Sequence, residues 1–351
     1  MRTHLDVNHQ LTSLPHRILL VRSLPGLGDF LCLVPALRAL RLALPEADIR
    51  LIGLQQTAGL VQRFQHYLNG WLSFPGCPGI PEVPFCAQRT IAFLTEIQSS
   101  EVDLALQLHG NGTHINSFTM LLGAKHTAGF FPPCHACPDP KSFFPYPDQE
   151  PEVWRPLRLL EFLGVPLQGD RLEFPLSPSD WQAFQKVASA FGLQEGNYVC
   201  IHPGASVVGR RWAVQRFATV ADQLAKQGLQ IVLTGTLSEQ ELTQAVAQAM
   251  QFPAIDLAGK TGLGAIAVLL KRARLLICND TGVSHLADAL QVPSVVIFTQ
   301  SDPLRWGPLD RQLHRVVGSS LGDNENPLTP SPAMVLAEAT DLLQQEIAYA
   351  S

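Results

Sequence analysis

The sequence predicts an α/β protein built from two successive, doubly wound parallel sheets, and three observations carry that expectation. Short apolar runs that read as strands alternate with amphipathic stretches of helical length. The alternation pauses at a proline- and serine-containing stretch, 174–180 (FPLSPSD), and then restarts. A chain of 351 residues is long enough for two domains of roughly 150 residues each. Strands that alternate with helices in this way lie parallel, with helices covering both faces of the sheet.

Taken in order, residues 17–22 (RILLVR) form a compact apolar run bounded by turn residues and read as a strand. The segment SLPGLGD follows, then FLCLVPALRALRLAL, whose apolar residues recur at helical spacing until Pro45 stops them. Residues 49–54 (IRLIGL) and 103–108 (DLALQL) are further strands. The stretch 131–151 (FPPCHACPDPKSFFPYPDQEP) is dense in proline and aromatics. Proline lacks an amide donor and clashes with the preceding turn, so a long surface loop is expected here. A helix at 152–163 closes at Gly164, and 174–180 is the expected linker.

The second series opens with strand 198–202 (YVCIH), the loop PGASVVGRRW and a helix over 213–227 ended by Gly228. Strand 229–234 precedes Gly235 and another helix. Strand 274–278 runs into Asn279-Asp280-Thr281-Gly282 and the helix VSHLADAL; strand 294–299, the turn SDPLRWGP and a helix over 332–348 complete the chain. The expected organisation is an extension at 1–16, Rossmann-like domains at 17–175 and 176–330, and a terminal segment at 331–351. A ligand would lie in a central cleft, at the carboxyl ends of the strands.

Composition narrows the function classes. With 46% hydrophobic and 16% charged residues, the chain is neither disordered nor fibrous. Lys plus Arg number 25 against 30 Asp plus Glu, a formal charge of −5; lacking a basic block, it is no general nucleic-acid binder. No apolar run approaches the ~18 residues that span a bilayer. The polar start, MRTHLDVNHQLTSLPHR, lacks the apolar stretch of a signal peptide, and a cytoplasmic protein is expected. Seven cysteines, an odd count spread along the chain, argue against a disulfide framework. Cys134 and Cys137 flank His135 in the one Cys-x-x-Cys, but a zinc site needs two more ligands and no second pair exists. A loop role is expected there.

Each informative cluster falls just after a predicted strand. Asn279-Asp280-Thr281-Gly282-x-x-His285 joins a strand end to a helix start. Backbone amides and the helix dipole attract an anion there, worth about 0.3–1 kcal/mol before direct hydrogen bonds. Thr281 is expected to cap the helix, Gly282 to let the backbone approach a phosphate, and His285 to lie one turn in. The second cluster combines the glycine turn His202-Pro203-Gly204-Ala205-Ser206 with Arg210 and Arg211, whose guanidinium groups suit bidentate phosphate contacts. Trp212 beside them either stacks or packs. Lys260, in DLAGKT, either adds a cation or turns the chain, and Glu239 or Glu241 either holds ribose hydroxyls or is solvated. Together these residues describe a nucleotide diphosphate site in the C-terminal half.

The N-terminal half offers Gly26-Leu27-Gly28-Asp29. A dinucleotide fingerprint would place its third glycine at Leu31 and an acidic residue where the second strand ends in Gly53-Leu54, so NAD binding is not expected. Asp29 opens a helix whose dipole favours the ionised carboxylate, which suits a general base.

These stretches, RILLVRSLPGLGDFLCLVPALRAL, HPGASVVGRRW, and DLAGKTG through NDTGVSHLADAL to SDPLRWGP, resemble the lipopolysaccharide heptosyltransferases of glycosyltransferase family 9. The resemblance implies the GT-B fold, with a nucleotide-sugar-binding C-terminal domain, an acceptor-binding N-terminal domain and a terminal helix packing back toward the first domain. It implies Asp29 as catalytic base. Donor contacts would come from Gly28, His202, Gly204, Ser206, Arg210, Arg211, Glu239 (Glu241 as alternative), Lys260, Asp280, Thr281, Gly282 and His285. Arg210 stands where the family usually has lysine, which keeps the charge and changes its geometry.

The implied reaction is inverting transfer of a heptose-like sugar from ADP-heptose to a lipopolysaccharide-core or other glycan hydroxyl. No obligatory metal and no cofactor beyond the donor are expected. A lipid-linked acceptor would bring peripheral contact at the inner face of the cytoplasmic membrane. The alternatives are a transferase using a UDP- or GDP-hexose and a non-catalytic nucleotide-sugar binding protein. Sugar, nucleobase, acceptor, linkage and oligomeric state are not legible in these residues.

Overall fold

Ile18, Leu19, Leu20 and Val21 are consecutive and all buried, as a strand must be when helices cover both faces of its sheet. They belong to β1 (Arg17–Val21), the first element of a computed structural model that describes residues 14–318 and 329–350. The chain divides into two units between Arg171 and Leu172. Residues 1–13, most of the expected N-terminal extension, lie outside the described residues.

The first unit continues with α1 (Leu27–Leu31), α2 (Val34–Ala43), β2 (Asp48–Gly53), α3 (Ala58–Arg63), β3 (Gly70–Ser73) and α4 (Ala87–Gln98). Then come β4 (Leu104–Gln107), α5 (Ile115–Leu121), β5 (His126–Phe131), β6 (Phe143–Pro145) and α6 (Trp154–Phe162). The sheet order is β3-β2-β1-β4-β5-β6, every pair parallel. On one face, Leu19, Val21, Ile52 and Ala105 pack with Phe74, Ile115 and Phe118.

The second unit runs α7 (Pro178–Phe191), β7 (Tyr198–His202), α8 (Val214–Ala225), β8 (Gln230–Leu233), α9 (Gln240–Ala249) and β9 (Ala254–Asp256). It continues with α10 (Leu263–Lys271), β10 (Leu275–Asn279), α11 (Gly282–Leu290), β11 (Ser294–Ile297), α12 (Pro303–Trp306), β12 (His314–Val317) and α13 (Pro332–Ala350). Its order is β12-β11-β10-β7-β8-β9, again wholly parallel. Numbered from its own first strand, each sheet reads 3-2-1-4-5-6, the Rossmann order. The order reverses between β1 and β4 in one sheet and between β7 and β10 in the other, and ligands bind at such switch points.

Several expectations change. The single helix after SLPGLGD is two, because Pro35 starts α2 afresh in its first turn after a break at Cys32 and Leu33. The expected loop 131–151 contains β6, an edge strand on β5. The expected linker holds the start of α7, where Ser177 and Asp180 form a reciprocal capping box. In the terminal helix Val335, Ala339, Leu342 and Leu343, a stripe at helical spacing, join the second unit's own core with Phe217 and Val295. The helix meets α8 and strands β10–β12, as an amphipathic helix does when its apolar stripe faces a core.

Candidate functional site

In the second unit, four loops leave the carboxyl ends of β7, β8, β10 and β11. Asn279, at the end of β10 and fully buried, joins two of them. Its Oδ1 accepts the Trp212 amide at 2.9 Å, and its Nδ2 donates to the Pro203 carbonyl at 2.7 Å. Arg211 Nε closes the same loop on the Ala205 carbonyl at 2.9 Å. Trp212 packs: its ring lies edge-on to Phe217 with centroids 5.0 Å apart, and its indole donates to the Pro330 carbonyl. Arg210 is thereby left to face Asp280, its Nη1 3.4 Å from the buried Oδ2.

Thr281 holds the N-cap position of α11 with extended backbone, yet its side chain makes no cap hydrogen bond among the described residues. This corrects the capping expected of it. The Ser284 amide and hydroxyl bond the Thr281 carbonyl instead, at 3.0 and 2.7 Å. Gly282 begins the helix, and His285, one turn in, is buried with its ring 6.1 Å from that of Trp306.

Beside this end, Glu239 is buried and its Oε2 accepts both the Thr236 amide and hydroxyl, at 2.8 and 2.9 Å. Its other oxygen lies against Gly204, where any side chain would overlap it. Glu241 is exposed on α9. His202 Nδ1 is 3.0 Å from Thr234 Oγ1, and Nε2 is 3.9 Å from Glu239. Burial pushes the His202 imidazole below its ordinary range despite the nearby carboxylate, so it is a neutral hydrogen-bonding group.

Not every expected residue joins this cluster. Ser206 is exposed on the loop after β7. The Lys260 ammonium donates to the Asp256 carbonyl at 2.6 Å and lies 4.9 Å from the Phe191 ring centroid, so it is engaged with its own turn. Thr299 and Gln300, after β11, were missed. Thr299 donates to the Gly209 carbonyl at 2.9 Å, and the Gln300 amide occupies the space beside the Gly209 Cα. Their place at a strand end was the available signal.

In the first unit, Asp29 lies in the first turn of α1, and its Oδ2 folds back against Gly26, which has no Cβ to displace it. Gly28, buried in the same helix, accepts the Cys32 amide. Arg22, at the end of β1, places Nη2 4.0 Å from Asp29 Oδ1 and 3.1 Å from Glu152 Oε1. Its Nη1 donates to the Leu108 carbonyl at 2.7 Å. The backbone amide of Ser23 donates to His109 Nδ1 at 3.3 Å. Burial first, then Arg22, bring His109 down to about 4. Arg22, His109 and Glu152 were not expected as site residues; buried charge leaves no local mark in a sequence.

Among the described residues no group of three or more His, Cys, Asp or Glu side chains is placed to hold a metal ion. Cys134 is exposed and Cys137 half-buried, its Sγ 3.9 Å from the Phe143 carbonyl. No helix among the described residues is long and apolar enough to cross a membrane.

Two Rossmann-ordered units in succession, each with polar groups at its switch point, are the GT-B architecture of glycosyltransferases. Residues 97–327 match the family model described as glycosyltransferase family 9 (heptosyltransferase). The chain belongs to that family. It is 29% identical over 155 residues to lipopolysaccharide heptosyltransferase 3 of Escherichia coli, covering 43% of this chain and 45% of that relative. The chain thus spans about half the length of the curated relatives it matches. It superposes on the glycosyl transferase family 9 structure from Veillonella parvula DSM 2008 with a TM-score of 0.78 and 23% identity, over 95% of this chain and 99% of that one. For E. coli ADP-heptose lps heptosyltransferase II the TM-score is 0.72 and the identity 22%, over 94% and 99%. At these identities the superpositions establish the fold.

Proposed function

We propose that the protein is an inverting glycosyltransferase that moves a heptose-like sugar from ADP-heptose to a hydroxyl of a lipopolysaccharide-core or related glycan. The observation that carries this reading is the convergence of Arg210, Asp280, the start of α11 and Glu239 at one switch point. Arg210 and the first amides of α11 would meet the diphosphate, and Glu239, buried over Gly204, would accept ribose hydroxyls. Asp29 would take the acceptor's hydroxyl proton. The oxygen then attacks the anomeric carbon as its bond to the diphosphate oxygen breaks and ADP leaves. Charge developing on that oxygen is stabilised by positioned donors, which need no reorganisation as the bond breaks. A lipid-linked acceptor would place the enzyme at the inner face of the cytoplasmic membrane through peripheral contact.

Calorimetry with ADP, UDP, GDP and NAD, followed by turnover of ADP-heptose, tests the reading. Selective ADP binding, together with a loss in kcat of about 10²-fold or more for Asp29→Asn at unchanged donor affinity, is the expected result. Preference for UDP or GDP would move the donor. Near-normal turnover by Asp29→Asn would remove the base from its role.

A further inference from the structure

Four charged groups of the first unit stand in a row of alternating sign. Arg155 Nη1 is 3.7 Å from Glu152 Oε2, Glu152 Oε1 is 3.1 Å from Arg22 Nη2, and Arg22 Nη2 is 4.0 Å from Asp29 Oδ1. Side-chain exposure is 3% for Arg155, 4% for Glu152, 5% for Arg22 and 22% for Asp29, so the row opens to solvent at its Asp29 end. Its inner end is anchored: Arg155 donates to the Tyr146 hydroxyl at 2.5 Å and to the Glu150 and Asp148 carbonyls. One guanidinium is therefore shared by two carboxylates, the closer of which is buried and the other partly solvated.

We propose that Glu152 is a positioning residue that sets how firmly Asp29 holds a proton, by dividing the charge of Arg22 between two carboxylates. An arginine beside an aspartate favours the ionised form and so makes it a weaker base. Glu152 draws Arg22 toward itself through the shorter contact and repels charge on Asp29, so Asp29 feels less of the guanidinium than an unshared pair would give it. Burial opposes the charge on Arg22, but Glu152 and Asp29 outweigh it and keep the guanidinium above its ordinary value. Other groups near this row include Cys32, buried in the turn after α1, His109, beyond β4, which is neutral above about pH 4, and the Tyr146 hydroxyl that accepts from Arg155. Neither His109 nor the permanently charged Arg155 titrates in the range where Asp29 would act as base. The catalytic role of Asp29 rests on the proposed function; the division of charge does not.

The experiment follows the Asp29 carboxyl carbon by NMR in aspartate-labelled protein, the resonance being assigned by its loss in Asp29→Asn. The titration midpoint is expected to fall by about one pH unit in Glu152→Gln and to rise by about one in Arg22→Gln. Glu152→Asp, which keeps the charge but withdraws it from Arg22, is expected to shift the midpoint in the same direction as Glu152→Gln by a few tenths, and it stands in should Glu152→Gln not fold. The acid limb of kcat with ADP-heptose should move with each midpoint, with donor KM within twofold. An unmoved or raised midpoint in both Glu152 variants overturns the proposal, as does a shift of the same sign in Arg22→Gln. If the midpoints move as expected but turnover ignores Asp29, the charge division stands and the proposed function falls. If turnover needs Asp29 and the midpoints do not move, the reverse holds.

Discussion

Arg210 Nη1 lies 3.4 Å from Asp280 Oδ2, and the pair joins the loop after β7 to the loop after β10, where the second sheet reverses its order. The carboxylate is buried while the guanidinium is about one-third exposed. Asp280 Oδ2 has no hydrogen-bond partner among the described residues. Arg210 is thus oriented by an ion pair and retains donors for a ligand. Arg210→Ala is expected to weaken ADP binding roughly 10- to 100-fold, the loss of one charge-assisted contact of about 1.5–3 kcal/mol. Titration calorimetry checks this, and an unchanged Kd would remove Arg210 from the site.

Asn279 makes a sharper structural prediction. In Asn279→Asp the Oδ1 acceptor for Trp212 survives, but the donor facing the Pro203 carbonyl becomes an oxygen. A buried acceptor set against an acceptor costs about 3 kcal/mol. For a unit of this size that corresponds to a fall in Tm of roughly 6–12 °C. Asn279→Asp should therefore melt well below the parent protein by calorimetry.

A substitution at Gly204 would test the proposed nucleoside contact separately from the proposed phosphate contacts. A methyl at this position overlaps Glu239 Oε1, while the carboxylate's other oxygen is held by Thr236. Gly204→Ala should displace the carboxylate and lower ADP affinity about tenfold, the worth of one hydrogen bond to a charged group. Affinity for inorganic pyrophosphate should stay within twofold. Equal losses for both ligands would show that Glu239 does not hold the ribose.

His109 predicts acid sensitivity of the first unit. Its folded pKa is lowered to about 4 from an ordinary 6.5, so between these values the unfolded chain binds more protons. Stability then rises with pH across that window, is complete above about 6.5, and is lost as pH falls toward 4, by up to about 1.4 kcal/mol per pH unit for one proton. His109→Asn keeps an acceptor for the Ser23 amide and cannot titrate. Its unfolding free energy should vary less steeply with pH between 4 and 6.5, as followed by denaturant melts at several pH values.

The central strands were legible because their interiors are apolar: Arg17–Val21, Tyr198–His202 and Leu275–Asn279 fall within two residues of where the sequence places them. The strands β3, β5, β6, β9 and β12 were not placed. All but β5 are four residues or fewer, and all five sit in the outer part of a sheet and are only partly buried, so hydrophobic patterning marks them weakly. In the candidate site the glycine turns and the strand-to-helix junction at Asn279–Gly282 stood out for a local reason, since turn geometry and helix starts select particular residue types.

Which charged residues act together was settled by the folded chain. Arg210 and Arg211 look alike in sequence, yet one pairs with Asp280 and the other closes a loop on Ala205. Glu239 and Glu241 differ by two positions, which puts one beneath Gly204 and the other in solvent. Arg22 meets Glu152 across 130 residues of chain. Alternation, turns and apolar runs act over a few residues and can be read locally; burial and the pairing of charges depend on neighbours that strand order alone brings together.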